Sequence, residues 1–163
     1  MANRVSSDLV RKAIDQIDRE RMVKMTMDLT NIPSPTGYEG EMARAVNDLL
    51  RGAGFDSVLQ PIGDERYNAV GRLQGKGGGK SLMFNGHLDT SFGPEQAHRG
   101  IGYKCEGTLV DNEWIYGMGS FNMKSAMATY ITASDANRKA GIKLGADVVI
   151  AGVAGEIEKS PVN

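Results

Sequence analysis

Three pairs of polar residues have the types and the placement to do chemistry. His87 and Asp89 close a short apolar run, Asn122 and Lys124 follow a glycine turn, and Glu156 and Glu158 follow a second apolar run. Imidazole nitrogen, carboxylate and amide oxygen are the donors that hold zinc or a similar divalent cation. Asp89 lies two residues after His87. In extended chain that spacing puts both side chains on one face. Asp89 can then accept a hydrogen bond from the second ring nitrogen and fix the tautomer. A glutamate beside a cation-activated water is the usual general base of hydrolysis. Each pair also has a plainer reading. His87 could cap a turn, Asn122 could be a helix N-cap, and the two glutamates could be a solvated turn. His98 reads as a surface residue. Cys105 has no base partner in view to make it a nucleophile. Gly77-Gly78-Gly79 lacks the spacing of a phosphate-cradling loop.

The elements that would position these groups alternate between helix and strand. Residues 5–29 carry apolar positions at roughly helical spacing and read as one long helix. Two prolines, Pro33 and Pro35, interrupt it. Thr36 and Glu39 have capping-box spacing, which predicts a helix start there, continued by residues 41–51. Strands are expected at residues 57–62, 68–73 and 80–85, the last running directly into His87. Residues 91–105 read as an irregular loop, and 108–110 with 114–116 as a hairpin. A helix is expected from about residue 122 to 140, with Met123, Ala126, Met127, Tyr130 and Ile131 facing the sheet. Residues 146–153 are the clearest buried strand. The class is α/β with a mixed, mostly parallel sheet.

Composition bounds the rest. The chain has 163 residues, 40% hydrophobic and 24% charged, which is ordinary globular composition. Nineteen basic and 20 acidic residues leave a net charge of -1, which argues against nucleic-acid binding through bulk electrostatics. One cysteine excludes an intrachain disulfide and a cysteine-rich zinc module, and a cytoplasmic setting is the default. No apolar run approaches the roughly 20 residues of a membrane span.

Four segments, in order, resemble one family: residues 32–37 (Ile-Pro-Ser-Pro-Thr-Gly), 86–90 (Gly-His-Leu-Asp-Thr), 117–124 (Gly-Met-Gly-Ser-Phe-Asn-Met-Lys) and 155–158 (Gly-Glu-Ile-Glu). They are similar to the metal-dependent peptidases and deacylases that include acetylornithine deacetylase, succinyl-diaminopimelate desuccinylase, aminoacylase and glutamate carboxypeptidase. The resemblance implies a three-layer, zinc-peptidase-like catalytic domain and hydrolysis of an amide in a peptide or N-acyl amino acid. It implies His87 as a metal ligand, Asp89 as its orienting partner and Glu156 as the general base, with Glu158 a candidate ligand. The cofactor implied is one or two divalent ions, zinc foremost, with manganese or cobalt as alternatives.

Two positions depart from the family pattern. Asn122 stands where a bridging aspartate is expected, and Ile157 separates two glutamates that are normally adjacent. A neutral amide offsets less of the repulsion between two dications than a carboxylate does. Single or weakened metal occupancy is therefore expected. A non-catalytic binding or scaffold role is the rival expectation. The resemblance further makes residues 1–163 the N-terminal part of a catalytic domain. The lid domain and the remaining ligands would then lie elsewhere, in a longer polypeptide or a complementary partner chain, with a dimer as a further candidate arrangement.

Overall fold

The computed structural model describes residues 6–95 and 104–158. His98 lies outside the described residues. The elements, in order, are helices α1 (Ser7–Ile14), α2 (Arg19–Thr30) and α3 (Gly40–Gly52), strands β1 (Asp56–Gly63), β2 (Arg66–Leu73) and β3 (Leu82–His87), the hairpin β4 (Thr108–Val110) and β5 (Trp114–Tyr116), helix α4 (Ser125–Lys139) and strand β6 (Val148–Val153).

The single helix expected over residues 5–29 is two. Asp18 adopts an extended backbone and its side chain accepts the Arg21 N–H at 2.9 Å, which starts α2 afresh. Ser6 does the same for α1 through Leu9 N–H. Both halves are helical in pattern, so periodicity alone does not mark the break. Helix α4 starts at Ser125, not at residue 122, and Asn122 has non-helical angles.

The four-stranded sheet has the order β1-β2-β6-β3. Pairings β1–β2 and β2–β6 are antiparallel, and β3–β6 is parallel. The sheet is therefore mixed, as expected, but among the described residues parallel pairing is confined to β3–β6. Successive side chains along each strand point to opposite sides, which gives the sheet two faces. One face carries Ala69, Gly71, Phe84 and Ile150 toward the helices. There α3 contributes Val46 and Leu50, α4 contributes Met127 and Ile131, and Tyr130 stacks on Phe84 with ring centroids 4.6 Å apart. Fully burying each such aliphatic side chain stabilises the fold by roughly 1.5–3 kcal/mol. The opposite face carries Val58, Val70, Met83 and Val149, and no described helix covers it: Val58 is 55% and Met83 59% exposed. Of the three layers expected, the described residues supply two.

Asp135, on α4, ties the helical layer together. It is buried and takes ion pairs from Arg21 on α2 and from Arg138 and Lys139 on its own helix. Burial pushes its pKa up, but these three cations outweigh that and hold it below the usual carboxylate range. A depressed folded pKa means that the contribution to stability is present above the unfolded value and is lost as pH falls through the folded one. Asp135→Asn is expected to lower the free energy of unfolding by about 1–3 kcal/mol at pH 7, measured by urea denaturation. The difference should shrink below about pH 4; a constant difference into strong acid would mean that the charge contributes nothing.

Candidate active site

Strands β3 and β6 end side by side, with His87 opposite Val153 in the parallel register and the Leu88 N–H donating to the Val153 carbonyl at 2.7 Å. The carboxyl ends of adjacent parallel strands are where α/β sheets collect function. His87 leaves β3 there, 5% exposed, with oxygen on both sides of its ring. Nδ1 lies 3.0 Å from the Asp89 carbonyl and 3.5 Å from Asp89 Oδ1. Nε2 lies 2.9 Å from Asn122 Oδ1 and 3.9 Å from Glu156 Oε2. The predicted His87, Asp89, Asn122 and Glu156, scattered in sequence, therefore meet. Glu158 is exposed and makes no hydrogen bond or ion pair with His87, Asp89 or Asn122 among the described residues.

Asp89, 1% exposed, is bound from three directions. Oδ2 accepts the Thr36 hydroxyl at 2.8 Å and the Ile157 N–H at 2.8 Å, and Oδ1 accepts the Glu156 N–H at 3.2 Å. Burial pushes its pKa up, but His87, the Thr36 hydroxyl and the Ile157 N–H outweigh it and hold the carboxyl down at about 2. The same pairing, the largest influence on His87, raises the imidazole to about 9 against the opposing effect of burial, with Asn122 adding to the rise.

Thr36 is thus not the helix cap that its spacing to Glu39 suggested. Pro35 and Thr90 form a bridge, the Thr36 N–H donates to the Thr90 carbonyl, and the threonine is drawn to Asp89. Glu39 occupies the N-cap position of α3 without capping it by its side chain. Its fully buried carboxylate instead pairs with Arg66 at 2.8 Å.

Asn122 is placed by the loop before α4. Gly119 has φ 77°, and a Cβ there would meet Thr90 Cγ2 at 2.8 Å, so the turn requires glycine. Lys124, 1% exposed, anchors the loop by donating from Nζ to the Ile32 carbonyl at 2.5 Å, and burial pushes its pKa down to about 8. Asn122 therefore precedes the helix rather than capping it, and its amide oxygen faces the His87 ring. Sequence reasoning missed Thr36 and the Ile157 N–H as partners of Asp89, and Met123, whose sulfur accepts the His87 N–H at 3.3 Å. The Ser-Pro-Thr-Gly run at residues 34–37 was the available signal for Thr36. Cys105 is buried, with its pKa raised chiefly by burial, which leaves it a poor nucleophile.

Next to Asn122 a cleft of about 710 Å³ opens between the β4–β5 hairpin, residues 117–122 and Thr90-Ser91. The hairpin is pinned to α2 by Arg19, which donates to the Asn112 carbonyl at 2.5 Å. No helix among the described residues is long and apolar enough to cross a membrane. Among the described residues no cluster of three or more His, Cys, Asp or Glu side chains could hold a metal ion.

A polar constellation thus sits at the ends of β3 and β6, on a mixed sheet backed by helices. No family model matches the chain. It is 33% identical over 112 residues to succinyl-diaminopimelate desuccinylase of Dinoroseobacter shibae, an alignment covering 69% of this chain and 29% of that protein. Its fold is similar to a tripeptidase from Staphylococcus aureus (TM-score 0.71, 19% identity, 88% of this chain and 38% of that one). It is also similar to human carnosine dipeptidase 1 (TM-score 0.71, 18% identity, 96% and 36%). The chain belongs to this family of peptidases and deacylases. It spans about three-tenths of the length of the curated relatives it matches first.

In the metal-free protein the His87 ring should titrate near pH 9, read from its Cε1 proton by NMR. Asp89→Asn should bring it down toward the ordinary value of about 6.5. Because the folded pKa lies above the unfolded one, this pairing contributes fully below about pH 6.5 and is lost as pH rises through about 9. A ring that titrates normally in the unsubstituted protein would show that Asp89 does not hold it.

Proposed function

We propose that this chain is the N-terminal part of a metal-dependent hydrolase of amide bonds in peptides or N-acyl amino acids. The observation that carries the reading is the position of His87 Nε2, 2.9 Å from Asn122 Oδ1 and 3.9 Å from Glu156 Oε2. Ligand atoms around a tetrahedral zinc stand about 3.3 Å apart, given bonds of 2.0–2.1 Å. The His87–Asn122 separation lies a little under that value, so these two donors fit part of a metal site, with Glu156 beside it. His87 and Asn122 would hold the cation, with Glu158 as a candidate ligand and the remaining ligands supplied by further polypeptide. Zinc suits the imidazole, and manganese or cobalt are alternatives. A bound cation polarises the substrate carbonyl and lowers the pKa of water.

The residues of this chain divide the other tasks. Asp89 holds the Nδ1–H side of His87 and leaves Nε2 facing outward. Glu156, 61% exposed and backed by the Asp89 clamp on its own N–H, takes a proton from the attacking water and returns it to the leaving amine. The additional polypeptide, from the same chain or a partner, would pack on the uncovered sheet face of Val58, Val70, Met83 and Val149. Burying that face supports association with such a part, and a dimer is one arrangement that would provide it.

Glu156→Ala in the full-length protein should lower kcat by roughly 10²–10⁴-fold while leaving the metal content by elemental analysis unchanged. Activity retained by this variant would remove Glu156 as the base. Asn122→Asp should raise occupancy of a second metal by restoring an anionic bridge, and equal or lower occupancy would overturn the account of that position. The second reading, a binding or scaffold role without catalysis, is favoured by the neutral Asn122 and the aliphatic Ile157 at positions where carboxylates are expected. It takes over if the full-length protein binds no stoichiometric zinc, manganese or cobalt and cleaves neither N-acyl amino acids nor dipeptides.

A further inference from the structure

A second buried charge pair stands behind the Asp89 clamp, and the hydrolysis as described gives it no task. Arg66, at the start of β2, forks onto Glu39: Nε donates to Oε2 at 2.8 Å and Nη2 to Oε1 at 2.9 Å. The Glu39 side chain is fully buried and that of Arg66 is 13% exposed. A forked pair fixes the plane of a carboxylate as well as its position. Oε1 also accepts the Gly37 N–H at 3.0 Å. Gly37 has φ 100°, in the left-handed region, and directly follows Thr36. The turn that aims the Thr36 hydroxyl at Asp89, 2.8 Å away, is thus held by Glu39 on one side and by the Thr90 carbonyl on the other. Gly40 permits this approach. A Cβ there would stand 2.1 Å from the Glu65 carbonyl oxygen, so α3 can begin against the β1–β2 turn only with glycine. Arg44 closes the contact by pairing with Glu65 and lying over the Tyr67 ring. Glu39 and, behind it, Asp89 hold the Arg66 guanidinium above its ordinary pKa against the opposing effect of burial.

We infer that the Arg66–Glu39 pair is a positioning device for the hydrolytic site, acting through Gly37 and Thr36 to hold the Asp89 carboxylate beside His87. Both are positioning residues and touch no reacting atom. A buried ion pair adds little net stability by itself, because desolvating two charges offsets their attraction. What it adds here is fixed geometry. Asp89 Oδ2 is the point of convergence, since the Thr36 hydroxyl and the Ile157 N–H both donate to it. A displacement of Thr36 therefore reaches the turn that carries Glu156. The inference rests on the proposed hydrolase reading for its kinetic arm but not for its exchange arm.

Arg66→Met would leave the Glu39 charge buried and unpaired and is expected to destabilise the fold. The test therefore uses Arg66→Lys, which keeps the charge and loses the fork, with Thr36→Val and the double variant, all in the full-length protein. In the kinetic arm, with metal loaded, each single variant should lower kcat for dipeptides or N-acyl amino acids about tenfold with KM unchanged. The double variant should lose no more than Thr36→Val alone, because both changes act through one hydrogen bond. A pair that only stabilises the fold would give losses that multiply, or none in Arg66→Lys, and either result overturns the inference. The exchange arm follows amide hydrogen exchange in the same variants without metal. In Arg66→Lys the Gly37 and Ile157 amides should exchange about tenfold faster. The Leu82 amide, bonded to the Asp147 carbonyl at the other end of β3, should be unchanged. That pattern in a protein that hydrolyses neither substrate keeps the positioning assignment and removes the hydrolase reading. Hydrolysis with exchange at Gly37 and Ile157 indifferent to Arg66 does the reverse.

Discussion

The buried carboxylate of Asp89 is the interaction on which the site depends. An ionised carboxylate taken out of water is costly unless donors replace the lost hydration. Here they come from three separated segments: the Thr36 hydroxyl, the imidazole two residues before it, and the N–H groups of Glu156 and Ile157. The charge therefore does more than orient a ring. It fastens the segment after α2, the end of β3 and the turn after β6 to one point. Neither the His87 ring nor the Glu156 backbone would be held in this place without it.

The strands were legible because they are short, largely apolar runs bounded by glycine-rich turns. His87, Asp89 and Glu156 were legible because they follow apolar runs that end at one edge of the sheet. What was not legible depended on choices between competing partners. Thr36 has the spacing of a cap, yet a charged acceptor brought close by the Pro35–Thr90 bridge takes its hydroxyl. The break between α1 and α2 needs only one residue, Asp18, to prefer its own neighbour's N–H. The direction of strand pairing is a long-range property; β2 lies between β1 and β6 and is antiparallel to both, which no local pattern announces.

The histidine pair and the neighbouring cleft occupy different supports. The His87–Asp89 pair sits on the rigid sheet, whereas the cleft wall is a small hairpin fixed by Arg19 and a loop fixed by Lys124. Asn122 belongs to that loop, so the amide facing the imidazole and the wall of the cleft share one anchor. In the proposed arrangement the uncovered sheet face would be a third support, its apolar side chains giving the contact with further polypeptide its driving force.

The contact between Ile157 and Asp89 runs through the main chain alone. Position 157 can therefore exchange its side chain freely as far as the clamp is concerned, because any residue with an amide hydrogen supplies the same bond. Proline is the exception, since it has none to give. A change of side chain chemistry at this turn, acid to aliphatic, can thus proceed without unfastening the histidine a strand away.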